Sequence, residues 1–346
     1  MHGDRETTPP RAKPEMRDAL ANKTVALVLG SGGARGYAHI GVIEALQARG
    51  MKVIAIAGCS MGALIGGVYA AGQLAPFKAW AESLKGMDIL RLLDLSLASP
   101  GAIRGEKVFS VVRELIGQVR IEDLPLDYTA VATDLSRYKE VWFQNGSLEK
   151  AIRASTAIPS LITPVMENGR VLVDGGLLNP LPIIPVVSAH ADLIVAVNLS
   201  HYDHAFEERF GLREKARSRR EFEAWIESVK QKASELFDFD ALDEPESVVT
   251  APAAEEQEPE PDTVHRLLTK FDIMNMSFET MQSALTQYKL AGYPPDVLIN
   301  VPKAVCKTFD YHKAPELIEL GRRLADEALD QWAGQEQADA TRASGV

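Results

Sequence analysis

The chain has 346 residues, of which 46% are hydrophobic, and this is enough for one large α/β domain with a substantial core. Its two cysteines are too few for a disulfide framework or a cysteine-rich metal site, so we expect a protein of the reducing cytoplasm. The net charge of −11 arises in one window, because residues 233–262 contain 11 acidic and no basic side chains and the remainder balances at 37 of each sign. This distribution gives no support for nucleic-acid binding.

The N-terminal stretch 1–23 is predicted to be a flexible tail, since it is polar, contains three prolines and has no apolar signal-peptide region. A first strand is predicted at 24–29, where an apolar run leads directly into the sequence G-S-G-G-A-R-G at 30–36. A helical pattern follows this loop. Because a glycine-rich loop between a strand and a helix exposes several backbone N–H groups at one point, it is typical of an anion-binding site.

Two interpretations of this loop are open. A dinucleotide-binding fingerprint needs the spacing G-x-G-x-x-G, which fails because Ser31 would have to take the first position. It also needs an acidic residue at the second strand to bind the ribose, and 53–57 contains none. Alternatively, the N–H groups of Gly32 and Gly33 form an oxyanion hole for an acyl-transfer intermediate. We prefer the oxyanion hole, because the next strand ends at a serine beside this loop.

The second strand, 53–57, runs into Gly58, Cys59, Ser60, Met61 and Gly62, and then into a compact apolar helix. A G-x-S-x-G sequence between a strand and a helix predicts a nucleophile elbow, with the serine at its apex and at the helix N-terminus. The two glycines leave room for the sharp turn.

Two other interpretations of this stretch are weaker. Residues 53–77 carry no charge, as in a transmembrane helix, but the glycines and the turn motif argue against a membrane span. Cys59 is a potential nucleophile, but the central position of the motif belongs to Ser60.

Further strands are predicted at 128–135, 140–143, 170–173, 193–199 and within 294–302, and helices at 148–156, 264–290 and 314–332. This alternation indicates a three-layer α/β/α fold with a mostly parallel central sheet. We divide the chain into a catalytic core at 24–200, a charged, partly disordered acidic insertion at 201–263, a C-terminal part at 264–332 that completes the domain, and a polar tail at 333–346.

The strand at 170–173 ends in Asp174, Gly175 and Gly176. This sequence forms either a simple turn or part of a site, because ligands bind at the carboxyl ends of strands in open α/β sheets. A serine nucleophile needs a base, and a triad of Ser60, Asp174 and His312 is formally open.

The three motifs, at 30–36, 58–62 and 174–176, occur in the order in which they occur in the bacterial patatin-like phospholipase family, which the chain resembles from about 25 to 199. The resemblance implies a patatin-like fold and a dyad without histidine, with Ser60 as nucleophile and Asp174 as base. It also implies an oxyanion hole within Gly32, Gly33, Ala34, Arg35 and Gly36, and motif glycines at Gly30, Gly58, Gly62, Gly175 and Gly176. Ser31 stands where many members have glycine, and Gly176 where many have alanine.

The implied reaction is hydrolysis of a phospholipid, a lysophospholipid or another fatty-acyl ester through an acyl-enzyme, without a metal or a cofactor. For Asp174 to act as a base, we predict that partial burial raises its pKa and that a short hydrogen bond joins it to Ser60. Peripheral contact with a membrane is expected from the substrate class alone. The alternative is a regulatory or adaptor protein on the same scaffold, in which the acidic insertion binds a protein partner that the sequence does not identify.

Overall fold

The computed structural model of the chain describes residues 20–84, 106–159, 162–202 and 270–344. The chain forms two compact units, one of residues 1–202 and 277–346 and one of residues 203–276. The first unit contains the sheet and every residue of the candidate site. In the second unit, the described residues 270–276 begin a helix. Apart from its first two residues, the predicted acidic insertion at 201–263 lies outside the described residues.

An eight-stranded sheet lies at the centre of the first unit. Its strands are β1 (Thr24–Leu29), β2 (Lys52–Cys59), β3 (Asp127–Asp134), β4 (Lys139–Phe143), β5 (Val165–Glu167), β6 (Arg170–Asp174), β7 (Leu193–His201) and β8 (Val297–Pro302). Hydrogen-bonded neighbours follow the order β5-β6-β3-β2-β1-β7-β8, and β4 also pairs with β3. The pairs from β3 to β8 in this order are parallel, whereas β4 and β6 are antiparallel to β3 and β5 is antiparallel to β6. The predicted mostly parallel sheet is confirmed.

Helices cover both faces of this sheet. The α-helices that the structure describes are α1 (Ala38–Ala48), α2 (Met61–Ala70), α3 (Leu74–Ser83), α4 (Glu106–Ile116), α5 (Leu148–Ser155), α6 (Lys270–Gly292) and α7 (Ala314–Ser344). On β1, Leu27 and Leu29 pack into an apolar cluster with α1, α2 and α7. The alternate residues Ala26 and Val28 pack on the opposite face with the 3₁₀ helix Ile184–Ala189. Both faces of the strand are therefore apolar, as expected of a buried parallel sheet, and the three-layer fold is confirmed.

The C-terminal helix is longer than predicted. α7 continues to Ser344, so the predicted polar tail 333–346 is helical as far as the structure describes it. Alanine is the commonest residue in this part of the chain, and the absence of proline lets the helix continue. The body of the helix is fixed by the buried guanidinium of Arg49, which lies 2.8 Å from the carboxylate of Asp326 and 2.6 Å from that of Asp330.

Other local differences are small. The stretch 53–77 forms most of β2, the elbow, α2 and the start of α3, so the transmembrane interpretation of it is wrong. Across the described residues, no helix combines the length and the apolar character needed to cross a membrane.

The strand β5 was not predicted, because three residues are too few to show a period. Leu20, within the stretch predicted as a tail, is fully buried in the main core.

Candidate active site

Ser60 occupies a strained turn between β2 and α2. Its φ of +55° and ψ of −122° lie outside the regions that residues with a side chain prefer, and such strain persists only where the surrounding structure enforces it. A Cβ atom at Gly58 would lie 2.5 Å from the backbone nitrogen of Ala63, and one at Gly62 would lie 2.1 Å from the carbonyl oxygen of Leu29. The turn therefore has no room for a side chain at either glycine.

The structure brings Ser60 and Asp174 within one hydrogen bond. The Ser60 hydroxyl donates to Oδ2 of Asp174 at 2.5 Å, and the two residues are only 4% and 1% exposed. The other carboxylate oxygen, Oδ1, accepts the N–H of Gly176 at 2.7 Å and the thiol of Cys59 at 3.9 Å. Both oxygens of Asp174 thus have donors, which fixes the carboxylate relative to the serine.

The pairing of β3 explains why these two residues meet. Along one side of β3, residues up to Val131 pair with β2, whose last residue, Cys59, lies opposite Val131. The opposite edge of β3 is occupied by β4, which pairs with residues before and after Val131. The strand β6 therefore pairs with the same edge of β3 as β2 does, directly after the end of β2, and there Asp174 lies opposite Ala132. The ends of β2 and β6 therefore meet head to head.

The direction of β6 differs from that of most strands in the sheet. Asp174 was expected at the edge where ligands bind in open α/β sheets, whose strands run mostly parallel. However, β6 runs antiparallel to β3, so strand direction alone would not align Asp174 with the elbow. The register on β3 aligns them instead.

Burial controls the protonation of the acidic groups here. Loss of hydration raises the pKa of Asp174 to about 6, while hydrogen bonds from Ser60, Gly176 and Cys59 act in the opposite direction. Burial also raises the pKa of the Cys59 thiol well above its usual value. Because the thiolate is the nucleophilic form of cysteine, a thiol held neutral is a poor nucleophile. These protonation states favour Ser60 over Cys59 as the nucleophile.

Within the described ranges, no histidine ring hydrogen-bonds to Ser60 or Asp174. His39 is fully buried, its Nε2–H donates to the carbonyl oxygen of Gly30 at 2.9 Å, and burial lowers its pKa to about 4. His312 lies in the 3₁₀ helix Tyr311–Lys313 and makes no bond to the pair, so the alternative triad is not formed. The same ranges hold no group of three or more His, Cys, Asp or Glu side chains that could hold a metal ion.

The glycine-rich loop presents two backbone N–H groups that have no hydrogen-bond acceptor among the described residues. The N–H groups of Gly30, Ser31 and Ala34 already donate to carbonyl oxygens of other segments, at 2.8–3.1 Å. Those of Gly32 and Gly33 have no acceptor among the residues that the structure describes. Of the predicted oxyanion donors, Ala34 is thus already engaged, and Gly32 and Gly33 are free to bind a ligand oxygen.

Close packing explains the glycines of this loop. A Cβ at Gly32 would lie 2.6 Å from Cβ of Leu199 on β7, and one at Gly36 would lie 2.1 Å from Cγ of Met61 beside the elbow. Gly33 has a φ of +55°, in the region that favours glycine. The loop backbone is thereby held directly against the elbow.

Arg35, predicted as part of the oxyanion hole, helps to fix the glycine-rich loop through its side chain. It is 3% exposed, and its guanidinium lies 3.6 Å from the carboxylate of Glu279 on α6. Glu279 also binds Nζ of Lys303 at 2.7 Å and the hydroxyl of Thr308 at 2.9 Å. Thr308 in turn accepts the N–H of Ala34 through its carbonyl oxygen. These contacts fix the loop to α6 and to the segment after β8.

Two side chains at the site were not predicted. Ser155, at the end of α5, accepts the N–H of Ser60 at 2.9 Å through its hydroxyl oxygen. Gln282, on α6, donates through Nε2 to the hydroxyl of Ser31 at 3.3 Å. A Cβ at Gly176 would lie only 2.1 Å from that Nε2 atom, so the glycine makes room for the glutamine. From the sequence alone, S-T-A-I-P at 155–159 indicated only the end of a helix and no role for Ser155.

A sequence model described as Patatin-like phospholipase matches residues 27–187, the segment that carries all three motifs. An uncharacterized NTE family protein of Mycobacterium tuberculosis is 44% identical over 342 residues, which cover 89% of this chain and 92% of that protein. The lysophospholipase nte1 of Emericella nidulans is 33% identical over 196 residues, which cover 56% of this chain and 13% of that protein. VipD from Legionella pneumophila, a crystal structure, is 15% identical with a TM-score of 0.48, covering 92% of this chain and 68% of VipD. On the family match and the near full-length mycobacterial relative, this chain belongs to the patatin-like phospholipase family.

Proposed function

We propose that this protein is a lipid acyl hydrolase, a serine esterase that cleaves a fatty-acyl ester of a phospholipid, a lysophospholipid or a related lipid. The observation that carries the proposal is the 2.5 Å hydrogen bond from Ser60 to Asp174 at the apex of a strained elbow. The substrate class is supported by the family and by the fungal relatives, which are named lysophospholipases and match this chain over 13% of the length of nte1.

Asp174 is the general base in this proposal. With a pKa of about 6, its carboxyl is ionised at neutral pH and is a stronger base than an ordinary aspartate. It accepts the proton of the Ser60 hydroxyl as the oxygen attacks the ester carbonyl, and the proton then passes to the leaving alcohol. A water molecule then attacks the acyl-enzyme and gives a proton to Asp174. As the fatty acid leaves, Asp174 returns this proton to the Ser60 oxygen, which restores both groups.

The N–H groups of Gly32 and Gly33 are the proposed oxyanion hole. Both are unused within the described structure, and the loop that carries them lies against the elbow. The N–H of Ser60 cannot serve in the same way, because it donates to Ser155. Donors fixed in advance of the reaction stabilise the charge of the tetrahedral intermediate without having to reorganise.

A cytoplasmic location and peripheral contact with a membrane stay predictions. The adaptor function also stays an alternative, but it depends on the acidic insertion, which lies outside the described residues apart from His201 and Tyr202.

The test of the proposed function is labelling with a fluorophosphonate probe, together with hydrolysis of a lysophospholipid and a short-chain p-nitrophenyl ester. Ser60→Ala should abolish labelling and lower both hydrolysis rates by about 10⁴-fold or more, because the nucleophile is lost. Ser83→Ala is the matched control, since it removes an exposed serine hydroxyl at the end of α3. Labelling of Ser60→Ala at the wild-type rate would refute the assignment.

A further inference from the structure

Ser155 connects the nucleophile to the sheet through two hydrogen bonds. Its side chain is fully buried. The hydroxyl oxygen accepts the backbone N–H of Ser60 at 2.9 Å, and the hydroxyl proton is donated to the carbonyl oxygen of Val131 on β3 at 2.6 Å. A serine hydroxyl can donate one hydrogen bond while it accepts another, and both are required here.

The same short segment also holds the base. Two residues after Ser155, the carbonyl oxygen of Ala157 accepts the backbone N–H of Asp174 at 2.9 Å. The segment 155–157, at and just after the end of α5, therefore bonds to the main chain of Ser60 through a side chain and to the main chain of Asp174 through a carbonyl group.

We propose that Ser155 is a positioning residue of the dyad, whose hydroxyl holds the strained backbone of Ser60 at the distance from Asp174 that proton transfer needs. This inference rests on the proposed hydrolase function. Ser155 acts through Ser60 and has no assigned contact with the substrate.

Backbone strain gives the physical reason. Ser60 has a positive φ, a conformation that costs free energy and is kept only when its neighbours determine it. The N–H of Ser60 is buried, so without Ser155 it would lack an acceptor, and the turn could relax toward a less strained conformation. Even a small movement of the hydroxyl away from Asp174 slows a reaction that depends on alignment.

The neighbouring residue shows that this arrangement is not the usual one at a helix end. Thr156 is also buried, but its hydroxyl donates back to the carbonyl oxygen of Ile152 in its own helix, at 2.8 Å. This local bond is common for serine and threonine in helices. Ser155 instead bonds to two other elements, whereas the hydroxyl of Thr156 bonds only to carbonyl groups of its own helix, so Thr156 provides a matched control.

The experiment compares Ser155→Ala and Ser155→Cys with Thr156→Val. The cysteine variant leaves no cavity, since its sulfur is somewhat larger than the oxygen, but it hydrogen-bonds weakly. It therefore provides a second variant in which the bond is weakened if the alanine form folds poorly. Hydrolysis of a p-nitrophenyl ester gives kcat and KM, and the fluorophosphonate probe gives a phosphonylation rate. All rates are divided by the concentration of sites that the probe finally labels, so loss of folded protein does not imitate loss of rate.

We expect both Ser155 variants to lose about 10- to 100-fold in kcat and in phosphonylation rate with KM unchanged, because alignment and not binding is damaged. The acidic limb of the pH profile should move to higher pH, since the Ser60 hydrogen bond that lowers the pKa of Asp174 is weakened. Thr156→Val should keep the wild-type rate per labelled site.

Four results would overturn the inference. One is wild-type kcat in both Ser155 variants, and another is an equal loss of kcat in Thr156→Val. The third is a wild-type protein that neither labels nor hydrolyses the ester, which would refute the proposed function and this inference with it. The fourth is a wild type that labels, together with Ser155 variants that have the same phosphonylation rate, which would refute the positioning role alone.

Discussion

The two halves of the candidate site differ in how many of their hydrogen bonds are already made. In the half around Ser60 and Asp174, the hydroxyl, both carboxylate oxygens and the Ser60 N–H all have partners within the protein. In the half around the glycine-rich loop, the N–H groups of Gly32 and Gly33 have none among the described residues. The first half is complete before substrate arrives, whereas the second needs an external oxygen to complete it.

The two halves also differ in how they affect the stability of the folded protein. The dyad half contains a buried carboxylate and a residue with strained φ and ψ, and both lower stability. The loop half leaves two backbone donors without an acceptor in the part of the chain that the structure describes, which is tolerable where a ligand or water can reach them. Substitutions in the two halves should therefore affect stability and activity in different ratios.

After the loss expected for Ser60→Ala, the largest effect is that of Asp174→Asn, which removes the proposed base and the buried charge together. We expect kcat to fall by about 10³-fold or more, because an amide does not accept the serine proton. At pH 8 the free energy of unfolding should rise by about 1–3 kcal/mol, since the folded-state pKa of about 6 exceeds the usual 3.8 and the buried charge is unfavourable.

The pH dependence of this gain follows from the same shift. A carboxyl whose pKa is raised by folding stabilises the folded state below about pH 4, and this contribution is lost as the pH rises to about 6. Urea denaturation of both proteins at pH 8 and pH 4 measures the difference. A gain as large at pH 4 as at pH 8 would contradict the assignment of the buried charge to Asp174.

The next largest effect is expected for Gly33→Ala in the loop half. The new Cβ would lie 2.5 Å from the carbonyl oxygen of Thr308 at a φ of +55°, so the loop must move and its N–H groups lose their direction. Removal of one oxyanion donor lowers kcat by about 10²- to 10³-fold in other enzymes. Gly72→Ala is the matched control, because it has a φ of +72° with no atom within 4 Å of the new Cβ.

Both glycine variants should lose about 1 kcal/mol or more of stability from the positive φ, but only Gly33→Ala should lose activity. Thermal denaturation and ester hydrolysis distinguish the two effects. An active Gly33→Ala protein would remove the loop from the proposed mechanism.

The smallest effect concerns Gly176, where the two halves touch. Gly176→Ala places a Cβ 2.1 Å from Nε2 of Gln282, and 3.0 Å from both Oδ1 of Asp174 and the hydroxyl of Ser31. The glutamine side chain can move, so we expect a loss of about tenfold in kcat and about 1–2 kcal/mol in stability. The double variant with Gln282→Ala should recover part of both losses, because the clash is then absent. Additive losses in this double-mutant cycle would show that the two residues are not coupled.

The sequence by itself determined the components of the site. The elbow was predictable because G-x-S-x-G stood between an apolar strand and a helix, which is a local pattern of a few residues. The strands were predictable for a similar reason, since apolar runs bounded by glycine and proline mark buried strands. The start of α5 was likewise local: Ser147 accepts the N–H of Lys150 at 3.3 Å, as an N-cap residue does.

Only the tertiary structure decided how these components are joined. The antiparallel direction of β6 depends on its pairing with β3, and the four residues before Asp174 do not reveal it. Ser155 meets Ser60 across 95 residues of chain, and Gln282 meets Ser31 across 251. Local patterns carry no information about contacts at such separations, because those contacts depend on register and packing throughout the sheet. The residues proposed for catalysis were therefore readable from the chain, whereas the alignment of Ser60 with Asp174 is a property of the folded molecule.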